Sequence, residues 1–210
     1  MLKHNLANSK FNVAFLFSGN ADNMYAVMEF VYYAPTNIKI QCIISDREDC
    51  HGLSRARSSI IPFIVLEKEG YKTNEAYDLA IHHILMSNNI DLICLDKFNH
   101  KFSSKFINNW YNKIINAQSS LLPAFLDDNP IKQALISGVK ITGCTIHFIR
   151  YGKNKGPIII QAAAPIFSDD SEEMVTNRII DIEQRCYPVA IKLIADNKIS
   201  IKDEIVSIEY

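Results

Sequence analysis

The sequence lacks an excess of charge of either sign, since 22 lysines and arginines stand against 23 aspartates and glutamates, for a formal net charge of −1. Without a basic face the surface does not attract a nucleic-acid backbone, so we expect no nucleic-acid partner. The sequence also lacks any run near the ~18 consecutive apolar residues that cross a membrane, and residues 1–10 lack the apolar stretch of a signal peptide. These absences predict a cytoplasmic protein with no membrane partner.

Paired cysteines are missing as well. The five cysteines are scattered and odd in number, and three of them lie in apolar runs, where a free thiol behaves as a small hydrophobic side chain. Cys50 and His51 are adjacent, but no second pair of ligands follows at the spacing of a zinc site. We therefore expect a reducing compartment and no metal.

The chain contains no internal repeat, linker or low-complexity segment, and its 48% apolar composition suffices for one core. We predict a single domain over residues 1–210, with peripheral tails at 1–10 and 202–210. Nothing in the composition sets the oligomeric state, and a homodimer stays open.

Up to residue 116, short apolar runs alternate with longer segments of helical period. The predicted strands are 13–17, 38–44, 61–66, 90–95 and 113–116, and the predicted helices are 23–34, 51–59, 73–88 and 103–110. Strands and helices that alternate at this spacing are typical of βαβ units. The predicted fold class is α/β, with an open, mostly parallel, Rossmann-like sheet and helices on both faces.

The pattern changes in the last third of the chain. Two strand-like stretches, 141–152 and 156–167, predict a C-terminal antiparallel hairpin whose turn is the polar segment between them. A long helix follows, with Ser168 or Asp169 as its N-cap and with a kink or break at Pro188. Its predicted apolar face consists of Val175, Ile179, Ile182, Cys186, Val189 and Leu193. The tail after this helix either adds a short strand or lies loosely on the surface.

The carboxyl ends of the first, fourth and fifth strands are the default place for a ligand in such a sheet. After the first strand, the segment 17–24 with its single Gly19 leads into a helix whose free N–H groups favour an anion, although a capped turn without a ligand is the favoured alternative. After the fourth strand, Lys97 and His100 are titratable donors, and a solvated surface position is the favoured alternative for His100. His147 is predicted to be a hydrogen-bonded core histidine rather than a base.

Several segments, in order, carry a resemblance to a known family: "FLFSGNADN", "DLICLDKF", "INAQSSLLPAF", "TGCTIHF" and "GPIIIQAAAP". Over residues 11–201 the chain resembles the phosphoribosylglycinamide formyltransferases. The resemblance implies transfer of a formyl group from 10-formyltetrahydrofolate, as co-substrate, to the amine of glycinamide ribonucleotide, a step of purine biosynthesis.

The resemblance also implies the ligand-binding residues. The ribonucleotide side comprises Gly19, Asn20, Ala21, Asp22, Asn23 and Glu183, and the folate side comprises Lys97, Phe98, Asn99 and His100. Ala21 stands where the family has glycine and loses the freedom to adopt a positive φ, while Asp22 brings negative charge toward a phosphate.

The family's catalytic set is an asparagine, a histidine two residues later and an aspartate after the "HF" strand. Asn116 matches the asparagine, Gln118 falls at the histidine and Asn154 at the aspartate. An amide donates hydrogen bonds but does not shuttle a proton near neutral pH, and loss of a general acid or base costs about 10²- to 10⁴-fold in rate. We therefore predict a strongly impaired or inactive member. The alternative is an active enzyme that uses His100, Lys97 or a substrate group as its base, or that takes a different formyl acceptor.

Overall fold

The structure, a computed structural model, describes residues 10–126, 129–152 and 156–209. Its strands are β1 (Phe11–Phe17), β2 (Ile38–Ser45), β3 (Phe63–Val65), β4 (Leu92–Asp96), β5 (Ile114–Gln118), β6 (Ile141–Phe148), β7 (Ile158–Pro165), β8 (Ile199–Lys202) and β9 (Ile205–Ile208). Its α-helices are α1 (Asp22–Tyr33), α2 (His51–Arg57), α3 (Asn74–Ser87), α4 (Ser104–Asn109), α5 (Pro130–Ile136) and α6 (Glu172–Ala195). The predicted alternation of strands and helices is confirmed, with small shifts at the boundaries.

Strands β1 to β7 form one sheet in the order β3-β2-β1-β4-β5-β6-β7. Neighbouring strands from β3 to β5 run parallel, and β6 and β7 run antiparallel to their neighbours. This confirms the predicted mostly parallel sheet with a C-terminal antiparallel hairpin and a long helix. The direction of winding reverses between β1 and β4, which is where an open α/β sheet forms its ligand crevice.

Helices cover both faces of the sheet because its strands are apolar on both sides. In β1, Val13, Phe15 and Phe17 pack with α1, α2 and α6, whereas Ala14 and Leu16 pack on the side of α3 and α4. All five side chains are fully buried. Burial on both faces is typical of parallel sheets. In this protein it holds in place the ends of the strands that border the crevice.

Helix α6 begins later than predicted. Its N-cap is Ser171, whose hydroxyl accepts a first-turn backbone N–H at 3.2 Å. The predicted caps, Ser168 and Asp169, are wrong because the next acid, Asp170, turns toward α6 and binds Arg178 at 2.6 Å, which keeps this segment outside the helix.

Pro188 does not break α6, which continues to Ala195. Tyr187 and Ala190 on either side of the proline are fully buried. Their packing holds both halves in place against the ~3 kcal/mol that an internal proline costs a helix. Val189 was predicted on the apolar face but is 48% exposed, because the buried stripe passes through its neighbours instead.

One helix lies outside the predicted pattern, and the tail, for which a short strand is one of the two predicted alternatives, forms two short strands. Helix α5 has Asn129 as its N-cap and Pro130 in its first turn, a start signal that the hydrophobic periodicity does not reveal. The tail forms the antiparallel hairpin β8–β9, and Glu204 in its turn binds Arg150 at 2.9 Å. Among the described residues, no helix is long and apolar enough to cross a membrane.

Candidate functional site

The loop between β1 and α1 borders the crevice and is held in place by α2. The backbone N–H of Gly52 donates to the carbonyl oxygen of Gly19 at 2.9 Å, and a Cβ at Gly52 would lie 2.7 Å from that of Ala21. The expectation that Ala21 gives up a positive φ is wrong, because Ala21 adopts a φ of 56° although it lacks the freedom of glycine. The loop therefore keeps a left-handed turn at this position.

Asp22 is paired with a cation of α2. Its carboxylate lies 3.3 Å from the Arg55 guanidinium, which also stacks 5.0 Å from the centre of the Tyr25 ring and approaches the carbonyl oxygen of Asn20 at 3.5 Å. The negative charge that the sequence places toward a phosphate is thus partly offset by Arg55.

A buried carboxylate that sequence analysis missed lies beneath the start of α1. Asp96, the last residue of β4, is 2% exposed and accepts the backbone N–H groups of Asn23 and Met24 at 2.9 and 3.0 Å. These are the groups that an N-cap side chain normally satisfies, and Ala21 has no side chain able to do so. Asp96, which belongs to β4, therefore takes the place of an N-cap side chain for α1.

Glu183 of α6 reaches the same place from the other side. The Asn23 amide donates to Asp96 at 3.1 Å and to Glu183 at 3.4 Å, and the Ser119 hydroxyl donates to Glu183 at 2.7 Å. Glu183 is 1% exposed. Two carboxylates thus share one buried amide, and we call Asn23, Asp96, Ser119 and Glu183 the acidic cluster.

Burial dominates the electrostatics of the acidic cluster. It raises the pKa of Asp96, against the opposing effects of the Met24 N–H, the Lys97 ammonium and the Asn23 amide. It also raises the pKa of Glu183, against the Ser119 hydroxyl and Lys97. Lys97 follows β4 with a φ of 55°, and its exposed side chain brings positive charge to the mouth of the cluster.

The two amides of β5 project from the same side of the strand, because side chains two residues apart share a face. Asn116 lies opposite His147 of β6, and Gln118 lies opposite Thr145. Gln118 makes a long contact of 3.5 Å to the carbonyl oxygen of Phe125, and within the described residues the Asn116 amide has no hydrogen-bond partner. Both half-buried amides are available to a ligand at the end of β5.

The loop after β5 is fixed by the fully buried Thr145. Its hydroxyl donates to the carbonyl oxygen of Ser120 at 2.7 Å and accepts from the Leu122 backbone and the Gln161 amide, both at 3.0 Å. Gln161 also donates to the carbonyl oxygen of Leu122 at 3.0 Å. These bonds hold the chain on either side of Leu121 in one conformation.

His147 is a buried core histidine, as predicted. It is 4% exposed, and its Nδ1 bonds the carbonyl oxygen of Phe148 at 3.0 Å. Burial lowers the pKa of His147, so the ring is neutral near pH 7.

His100 is not the solvated surface side chain that was predicted. Its Nε2 lies 2.6 Å from Asp78 of α3, and the side chain is 1% exposed. The ring packs at 4.9 Å from both Tyr77 and Phe102 on the side of α3 and α4. As a substitute base, His100 would first have to leave a buried carboxylate, so the geometry does not support that alternative.

The rest of the predicted folate loop is tied to β1. The Asn99 backbone N–H donates to the Ser18 hydroxyl at 2.7 Å, and Ser18 donates to Asp46 at 2.6 Å. Phe98 stacks with Phe102 at 5.9 Å.

The third predicted catalytic position, Asn154, lies outside the described residues. Among the residues that are described, no three acidic, histidine or cysteine side chains form a metal-binding group.

Comparisons with known proteins all find formyltransferases. A family model described as Formyl transferase matches residues 11–191. The phosphoribosylglycinamide formyltransferase of Haemophilus influenzae is 33% identical over 193 residues, which are 92% of this chain and 91% of that protein. A crystal structure of glycinamide ribonucleotide transformylase 1 from Symbiobacterium toebii superimposes with a TM-score of 0.92 at 34% identity, covering 96% of this chain and 95% of that one.

Larger proteins contain a similar segment. The trifunctional purine biosynthetic protein adenosine-3 of Chironomus tentans is 34% identical over 203 residues, which are 95% of this chain but 15% of that protein. The chain thus spans less than a fifth of the length of this relative.

Proposed function

This chain belongs to the formyl transferase family, alongside the phosphoribosylglycinamide formyltransferases, and on that premise we propose that it binds a formyltetrahydrofolate and an amine acceptor and transfers the formyl group only slowly. The crevice at the ends of β1, β4 and β5 is the site. Glycinamide ribonucleotide, the acceptor of the family, is the reference acceptor for measuring this activity.

The reaction requires charge stabilisation and the movement of protons. The acceptor amine attacks the formyl carbon, and the formyl oxygen becomes an oxyanion. Collapse of this intermediate breaks the bond between the formyl carbon and the folate nitrogen. The attacking amine loses a proton, and the leaving nitrogen gains one. A site that performs this reaction well needs oxyanion donors and a group that titrates near neutral pH.

The pair of amides at the end of β5 is the observation that carries the proposal. Asn116 lies near the carboxyl end of β5, is half-buried, and is the proposed oxyanion donor. Gln118 stands on the same side and can donate a second hydrogen bond, but it neither takes nor releases a proton near pH 7. Transfer therefore relies on water for proton movement, which costs about 10²- to 10⁴-fold in rate. Asn154 is proposed to occupy the family's aspartate position.

The acidic cluster is the proposed binding site for the acceptor. Ser119 and Asn23 hold the carboxylate of Glu183 in one orientation, which favours an incoming amine or hydroxyl donor. The neighbouring loop residues are proposed to line its entrance: Gly19, Asn20, Ala21 and Asp22. Lys97, Phe98 and Asn99 are proposed to face the folate, and His100 to support them through packing.

An assay of formyl transfer at saturating substrate tests the proposal. We expect the wild-type rate to stay below about 1% of that of the Haemophilus influenzae relative, because a missing general acid or base costs at least about 10²-fold. Asn116→Ala should lower the residual rate by a further ~10²-fold, since it removes the proposed oxyanion donor. A wild-type rate within tenfold of the relative contradicts the proposal, and an unchanged rate in Asn116→Ala shows that the activity arises elsewhere.

A further inference from the structure

Asp96 occupies a position where a helix would otherwise bind an anion. The first-turn N–H groups of α1 lie beside the carboxyl end of β4, at the reversal point of the sheet, where free N–H groups of a helix would favour a phosphate. In this chain the N–H groups of Asn23 and Met24 already bond the Asp96 carboxylate, at 2.9 and 3.0 Å. An external anion at these groups would have to displace a buried carboxylate of the protein itself.

The surrounding charge also disfavours a phosphate. Asp96 and Glu183 are almost fully buried and lie within hydrogen-bond reach of the same Asn23 amide. The Arg55 guanidinium is paired with Asp22, and burial raises the pKa of both Asp96 and Glu183, with Lys97 among the groups that oppose the rise. A phosphate dianion would lie next to two carboxylates, and like charges at this distance repel strongly in a site of low dielectric constant.

The hydrogen-bonding character of the cluster points the same way. Asn23 Oδ1 is buried and has no hydrogen-bond partner among the described residues. The carboxylates of Asp96 and Glu183 are acceptors when ionised. Hydrogen-bond donors on a ligand, such as an amine, an amide N–H or a hydroxyl, complement these oxygens. A phosphate dianion offers only acceptor oxygens and does not.

We propose that Asp96 determines acceptor specificity by filling the anion position of α1 from within, so that the site takes an amine acceptor that carries no phosphate. This inference rests on the proposed function and names the substrate class of the same crevice. Asp96 acts here as a specificity-determining residue, and the formyl-transfer step itself is unchanged.

Calorimetric titration with two acceptors tests this directly. Glycinamide ribonucleotide and glycinamide riboside differ only in the phosphate. We expect the wild-type protein to bind the riboside at least as tightly as the ribonucleotide. Asp96→Ala frees the two N–H groups and removes a charge, so it should shift the ratio of the two affinities toward the ribonucleotide by about tenfold or more. Asp96→Asn, which removes the charge but keeps the shape, should shift the ratio in the same direction.

Asp78→Asn is the matched control. Asp78 is also a buried acid that accepts a backbone N–H, from Ser103 at 2.8 Å, but it lies on the side of α3 and α4. The control should leave the affinity ratio unchanged. If Asp96→Ala does not fold, the wild-type protein and Asp96→Asn still decide the question.

Three results overturn the inference, and they separate it from the proposed function. If the wild-type protein prefers the ribonucleotide by tenfold or more, or if neither Asp96 variant changes the ratio, the inference fails while formyl transfer in this crevice stands. If neither acceptor and no formyltetrahydrofolate bind, both the inference and the proposed function fail.

Discussion

Thr145→Val gives the sharpest test of how the loop after β5 is held. The substitution keeps the shape of a fully buried side chain and removes one hydroxyl. That hydroxyl donates to the Ser120 carbonyl oxygen at 2.7 Å and accepts the Leu122 N–H at 3.0 Å. Both backbone groups lose this partner in the variant, and the Gln161 amide loses one of its two acceptors.

The expected cost follows from these losses. A buried polar group left without a partner costs about 1–3 kcal/mol, so two such groups lower the free energy of unfolding by about 2–6 kcal/mol. For a chain of 210 residues, this corresponds to a fall in melting temperature of about 4–24 °C. Urea unfolding followed by circular dichroism measures the free energy, and a thermal melt measures the temperature shift.

Thr142→Val is the control on the same strand. Thr142 is 1% exposed, and its hydroxyl has no hydrogen-bond partner among the described residues. Replacing that hydroxyl with a methyl group should leave stability within about 0.5 kcal/mol of wild type or raise it. The reasoning is refuted if Thr142→Val loses as much stability as Thr145→Val, or if Thr145→Val costs less than about 0.5 kcal/mol.

Three further predictions concern the core and its charges. Tyr187→Phe should lower the free energy of unfolding by about 1–2 kcal/mol, because the buried hydroxyl donates to a β4 carbonyl oxygen at 2.8 Å. Urea melts measure the difference, and a variant more stable than the wild type would contradict the prediction. Gly143→Ala should lower the free energy of unfolding by about 3 kcal/mol or more, since its Cβ would lie 2.0 Å from a β7 carbonyl oxygen. Gly70→Ala, with open space around its Cβ, should leave the free energy of unfolding almost unchanged. Equal melting temperatures for the two variants would contradict this packing effect. Burial opposes ionisation of Asp78, but hydrogen bonds from His100 and a backbone N–H lower its pKa, so its charge stabilises the fold above the unfolded pKa of about 3.9. The stability difference between wild type and Asp78→Asn should therefore be largest near pH 7 and shrink as the pH falls below about 4, and urea melts that show the opposite trend would contradict this.

The sheet could be predicted because its signals are local. Apolar runs and helical periods report which segments form βαβ units without any knowledge of their neighbours. The boundaries of α6 were less predictable because four polar residues in a row can each act as a cap. The contact between Asp170 and Arg178, which lies in the folded structure, decides which of them does.

The candidate site was predictable only in part. The two amides, Asn116 and Gln118, lie at the carboxyl end of a predicted strand, which is where ligands bind in an open parallel sheet. The acidic cluster depends on contacts between distant positions, since Ser119 and Glu183 are 64 residues apart and Asn23 and Asp96 are 73 apart. His100 was misjudged for the same reason, because its partner Asp78 belongs to an earlier helix.

The decisive measurement is the pH dependence of single-turnover formyl transfer in the wild type and in Gln118→His. We expect a slow wild-type rate with no inflection from a protein group between about pH 6 and 7, because Gln118 does not titrate. Gln118→His should add an inflection near the imidazole pKa of about 6.5. A wild-type rate within tenfold of the Haemophilus influenzae relative, with an inflection of its own in that range, would contradict the claim that this site lacks a proton carrier.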